Sequence, residues 1–176
     1  GIEGILVGME REQTNALAAE LLAMSEADQA MRRQYQTTNE WDSSVDEENT
    51  ARLKEIIEQQ GWPTISLVGR KAASAAWLLA QHADKDPAFQ EKCLALMREL
   101  PENEVILWNI ALFEDRVRMN TGRPQLYGTQ FKMSKGNFGP AGPIEDEEHL
   151  EERRAAMGLE TFEEYSREMR EMYEKH

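Results

Sequence analysis

A single cysteine, Cys93, in a chain of 176 residues excludes any intramolecular disulfide. It stands in a helical pattern beside Leu94 and Leu96, where it reads as a small buried apolar residue of a protein from a reducing compartment. Long apolar runs are missing too: none reaches the roughly eighteen residues that span a bilayer. The N-terminus has neither the basic region nor the long apolar core of a secretory signal, so the expected location is cytoplasmic, with no membrane partner. Positive charge is scarce, with 20 Lys and Arg against 33 Asp and Glu for a net charge of -13. That balance repels a phosphate backbone and makes nucleic acid an unexpected partner. No phosphate-binding glycine loop, Gly-x-Ser-x-Gly elbow or dinucleotide fingerprint occurs, and no cofactor is expected. Neither His149 nor His176 has the spacing of a zinc site, and Glu145 to Glu148 lacks the alternation of a calcium loop, so no metal is expected.

What the chain does have is helix. The first eight residues precede a plausible natural start at Met9 and read as an appended leader outside the fold. From Glu10 to Gln36 there is no Gly or Pro, and Leu17, Leu21, Met24, Met31 and Tyr35 form one stripe of an amphipathic helix interrupted by Asp28. A second helix begins near Val45 or Asp46, buries Leu53, Ile56 and Ile57, and stops at Gly61 before the Trp62-Pro63 corner. The small residues between Gly69 and His82 suit a central, closely packed helix. Asp86 caps the next helix, with Pro87 at its first position and Pro101 closing it. The apolar run Val105 to Phe113 fits a buried strand or a buried helix by periodicity, and its continuation to Gly122 favours helix. Gly128, Gly136, Gly139 and Gly142 with Pro140 forbid a long helix after it. A short hairpin around Tyr127 to Lys132 is one option there, and a flap over Lys132 to Gly142 is expected in preference to regular structure. Helices then open at Glu145 and, behind the capping box Thr161/Glu164, at Phe162. The expected architecture is a mostly α, single-domain orthogonal bundle of about six helices spanning residues 9–176. Its buried centre is Ala72 to Ala83 with Val105 to Phe113.

The stretch from Arg116 to Gln130 mixes guanidinium, amide, phenol and hydroxyl groups more densely than a connection needs. If extended, it would set Gln125, Tyr127 and Thr129 on one face. Arg116 beside Asp115 reads either as an ion pair holding the helix end or as a fork for an anion. His82 falls inside a core-forming helix, and Asp84 could orient it only if that helix breaks at Ala83.

Gly61-Trp62-Pro63, Gln81-His82-x-Asp84 with Gln90, Asp115-Arg116-Val117, Gln125-x-Tyr127-Gly128-Thr129-Gln130, Arg153-Arg154 and Gly158-Leu159 occur in that order. Together they resemble an uncharacterised bacterial domain-of-unknown-function family marked by a Tyr-Gly-Thr-Gln signature. The resemblance brings no activity with it and implies only that these polar residues belong together. The expected function is an enzyme, a hydrolase or transferase, acting on a small polar or peptide-like ligand. His82 would be its general acid or base, Asp84 or Asp115 its orienter, and Arg116, Gln125, Tyr127, Thr129 and Gln130 its binding groups. Phe138 would cap the site as part of a lid over Lys132 to Gly142. The alternative is a non-catalytic binding module whose Met24, Met31, Met169 and Met172 dock a partner helix.

Overall fold

The computed structural model describes residues 1–175 and is mostly helical, with eight α-helices and one two-stranded antiparallel sheet among them. The chain divides into two compact units, residues 1–105 and 106–176.

In the first unit α1 (Ile2–Thr38) runs for 37 residues, about 55 Å at the standard helical rise. It continues through the residues expected to form a leader, all of them exposed. Asn39 in the left-handed region ends it, its N–H returning to Tyr35 O. Asp42 caps α2 (Ser43–Gln60), and Gly61 at φ 78° ends it. Trp62 at the corner is buried. The expected central helix is α4 (Arg70–Gln81), preceded by the single turn α3 (Ile65–Val68), from which Gly69 at φ 85° separates it. Ala72, Ala73, Ala75, Ala76 and Ala80 are all buried on α4, and their small side chains let α1, α2 and α3 close around it. Helix α5 (Pro87–Arg98) starts as expected, with Pro87 in its first turn and the Asp86 carboxylate accepting from Phe89 N at 3.1 Å. Cys93 is buried, and burial pushes its thiol up to about 12, so it is an inert core residue.

The second unit opens with α6 (Leu107–Asn120), the helical outcome of the ambiguous apolar run. The Gly-rich segment expected as a flap is instead a hairpin, β1 (Phe131–Ser134) paired with β2 (Asn137–Pro140) in the register Phe131↔Pro140 to Ser134↔Asn137. It turns through Lys135 and Gly136, both at positive φ. Helices α7 (Leu150–Ala156) and α8 (Phe162–Glu174) follow, α8 capped by Thr161 Oγ1 accepting from Glu164 N at 3.2 Å. The aromatic residues of α8 pack on the hairpin. Phe138, which the sequence leaves without a periodic partner, stacks on Phe131 at 5.2 Å with ring planes 1° apart and meets Tyr173 at 5.4 Å. The Arg170 guanidinium lies over the Phe138 ring, 5.1 Å from its centroid. A lid movement by Phe138 would have to break this cluster.

Candidate functional site

The polar residues marked out by sequence gather around two buried carboxylates, one in each unit. In the first unit the carboxylate is Asp28, fully buried on α1. Leu17, Leu21 and Met31 are buried on the same stripe, so the chain places a charge where the helix pattern calls for leucine. Its partner is His82, the C-cap residue of α4, whose Nδ1 lies 2.8 Å and 2.9 Å from the two Asp28 oxygens. Asp28 also accepts from Arg32 Nη1 at 2.6 Å and Gln29 Nε2 at 2.8 Å. Burial raises the Asp28 carboxyl, but the bonds from His82 and the nearby positive charge outweigh it and hold the group below the usual carboxylate range.

The other side of the imidazole is different. His82 Nε2 has no hydrogen-bond partner among the described residues, and the side chain keeps 13% of its surface exposed. The helix does end at Gln81, as an orienting role for Asp84 would need, yet the group on Nδ1 is Asp28. Asp84 accepts from Gln90 Nε2 at 3.2 Å instead. The carboxylate expected on the imidazole from Asp84 or Asp115 comes instead from Asp28, 54 positions upstream. The available signal was the charged residue breaking an otherwise apolar stripe.

A depressed carboxyl has a defined consequence for stability. The contribution of Asp28 is fully present above its unfolded value, near 3.9, and fades as pH falls through the lower folded value. Asp28→Asn is expected to flatten the acid limb of urea-midpoint measurements below about pH 4. An equally steep limb in the variant would show that Asp28 is not the linked group.

In the second unit Asp115, fully buried on α6, accepts four bonds from the segment that follows. Leu126 N and Tyr127 N donate to Oδ1 at 2.7 and 3.0 Å, and Thr129 N and Thr129 Oγ1 donate to Oδ2 at 2.9 and 2.8 Å. Burial pushes this carboxyl above its ordinary value against the pull of those donors. Gln125, also fully buried, uses its amide as a second template: Nε2 donates to Gln130 O at 3.0 Å and Oε1 accepts from Gln130 N at 2.9 Å. Gln130 Nε2 in turn donates to Thr129 Oγ1 at 3.1 Å. Arg154 is buried below, its Nε donating to Glu160 O at 2.9 Å, its Nη1 to Tyr127 O, and its plane 5.2 Å from the Tyr165 centroid. Burial lowers its pKa from the normal guanidinium value, and Nη2 is left without a hydrogen-bond partner.

The segment Gln125 to Thr129, which would share one face only if extended, is a carboxylate-centred turn with Gly128 at φ 62° inside it. Gln125 and Thr129, expected to bind substrate, are buried and bonded within the turn, and Asp115, expected beside the histidine, holds the turn together. Arg116, Tyr127 and Gln130 are half-buried. Among the methionines expected to dock a partner helix, Met31 is in the core, Met24 and Met169 are half-buried, and Met172 is exposed. Among the described residues no group of three or more His, Cys, Asp or Glu could hold a metal, and no helix is long and apolar enough to cross a membrane. His176 lies outside the described residues.

Fold and site thus define a class: a mostly helical protein with an aspartate-held histidine on one unit and a carboxylate-organised turn on the other. The chain belongs to DUF6624, a family of unknown function, whose model matches residues 15–176. No curated protein and no solved structure matches it.

Proposed function

We propose that the protein is an acid–base enzyme acting on a small polar or amide-bearing substrate, with His82 as the proton-transferring group and Asp28 as its orienter. The observation that carries this reading is the asymmetry of the imidazole: Nδ1 is fixed by a buried carboxylate while Nε2 has no partner among the described residues. A carboxylate on Nδ1 selects the tautomer with a bare Nε2 and stabilises the ring once it takes up a proton. Nε2 then removes a proton from water or a substrate hydroxyl and returns it to the leaving group. The amide preference is supported by α4 itself. One turn apart, Trp77 Nε1 and Gln81 Oε1 are a buried donor and a buried acceptor without hydrogen-bond partners, the complement of an amide's C=O and N–H.

The test is turnover across a panel of small amide, ester and phosphoester substrates. His82→Gln is expected to lower kcat by about 10²- to 10⁴-fold, the usual worth of a positioned acid–base group. Full turnover in that variant would end the proposal. A ligand that stabilises the wild type and His82→Gln equally, with no turnover in either, would favour a non-catalytic binding module.

A further inference from the structure

The carboxylate that holds His82 is itself held, and by an arginine with its own anchors. Arg32 Nη1 meets Asp28 Oδ1 at 2.6 Å, the same oxygen that lies 2.8 Å from His82 Nδ1. The two nitrogens of the Arg32 fork also grip Asp46 on α2, Nη1 to Oδ1 at 3.0 Å and Nη2 to Oδ2 at 3.2 Å. The guanidinium plane lies over the Trp41 ring, 5.2 Å from its centroid, and Trp41 is braced edge-on by Tyr35 at 5.3 Å. Three helices therefore converge on one carboxylate: α1 supplies Asp28 and Arg32, α2 supplies Asp46, and α4 supplies His82. An ion pair made only to join α1 and α2 needs Arg32 and Asp46. It does not need Arg32 to share an oxygen with the histidine's partner.

We propose that Arg32 is a positioning residue that acts through Asp28 on His82, fixing the carboxylate's rotamer so that the imidazole is locked with its proton on Nδ1. This rests on the acid–base reading of His82 but makes a separate physical claim about its tautomer. The other charged groups around this end of α4 have different partners. Lys85 pairs with Glu47 at 3.2 Å, Asp84 accepts from Gln90 at 3.2 Å, and Asp86 at the start of α5 pairs with Lys54 at 2.6 Å. Helix α3, with the sequence Ile-Ser-Leu-Val, carries no charge. Among the described residues, Arg32 is thus the charged group that bonds to the Asp28 carboxylate besides His82 itself.

The test is a long-range ¹H–¹⁵N correlation spectrum of the neutral imidazoles in the full chain, with the His82 signals assigned by their loss in His82→Gln. In the wild type the expected pattern is a protonated Nδ1, a bare Nε2, and an Nδ1–H that exchanges slowly. In Arg32→Gln, Nδ1–H exchange is expected to rise about five-fold with a matching growth of the Nε2–H form, the change that follows from losing one charge-assisted hydrogen bond. Arg32→Lys keeps a charge but loses the fork to Asp46, and is expected to fall between the two. A folded Arg32→Gln protein with the wild-type tautomer and exchange rate overturns the proposal. Should that variant fail to fold, Asp46→Asn answers instead, because it frees the fork, and unchanged Nδ1–H exchange there overturns the proposal equally. Turnover is read separately. No turnover in the wild type with the tautomer shift present removes the acid–base reading and leaves Arg32's role standing, whereas turnover that depends on His82 with an unmoved tautomer does the reverse.

Discussion

Asp115→Ala is expected to destabilise the second unit by about 3–5 kcal/mol, the range seen when a buried charged acceptor is removed from its donors. Three backbone N–H groups and the Thr129 hydroxyl lose their acceptor together. The turn cannot simply be rehydrated, because Thr129 and Gln125 are themselves buried. Asp115→Asn keeps the shape but turns an NH₂ group toward donors, so it rescues little. Thr129→Val removes only one of the four bonds and is expected to cost about 1 kcal/mol. Chemical denaturation followed by a probe in the second unit, such as Trp108 fluorescence, measures all three. An Asp115→Ala midpoint equal to the wild type would show that the turn is held by something other than this carboxylate.

The second large effect is at Gly128. Its φ of 62° lies in the left-handed region, and a Cβ there would sit 2.9 and 3.0 Å from Phe162 Cε2 and Cδ2 and 3.0 Å from Ile144 Cδ1. Backbone strain of roughly 1–2 kcal/mol adds to overpacking of roughly 1–3 kcal/mol, so Gly128→Ala is expected to cost about 2–5 kcal/mol. Gly136 is the control: its φ of 79° is also left-handed, but no atom lies within 4 Å of the added Cβ. Gly136→Ala should therefore show the backbone cost alone, about 1–2 kcal/mol. Equal losses at the two positions would mean that Phe162 and Ile144 yield freely. Shortening the ring in the double variant Gly128→Ala/Phe162→Leu should recover part of the difference.

These effects change how the Tyr127-Gly128-Thr129-Gln130 tetrapeptide is understood. Read as a sequence, it is a cluster of hydrogen-bonding side chains and suggests a binding wall. In the fold Gly128 is there because nothing larger fits, and Thr129 and Gln125 are there because a buried turn must satisfy its own polar groups. A dense run of polar residues has two physical origins, ligand recognition and internal satisfaction, and side-chain identity alone does not separate them. Burial does, and burial is a tertiary property. His82 is the opposite case. Its helix pattern suggests a core histidine as readily as a reactive one, and only the placement of Asp28 across from Nδ1 distinguishes its two nitrogens.

Most of the helices are legible in the chain alone. Their apolar stripes, the caps at Asp86 and Thr161, and the stops at Gly61 and Pro101 are local, and local steric and hydrogen-bonding rules suffice to read them. The sequence allowed a short hairpin but set it around Tyr127 to Lys132 and favoured a flap beyond, since each strand of Phe131 to Pro140 is only four residues and its stability comes from the aromatic residues of α8, about thirty positions away. The partners of the buried charges were decided only by the tertiary structure. Asp28 meets a histidine 54 positions downstream, and Asp115 meets a turn 11 to 14 positions on. A buried carboxylate must find donors, but which donors reach it depends on how the helices pack, and no spacing along the chain encodes that.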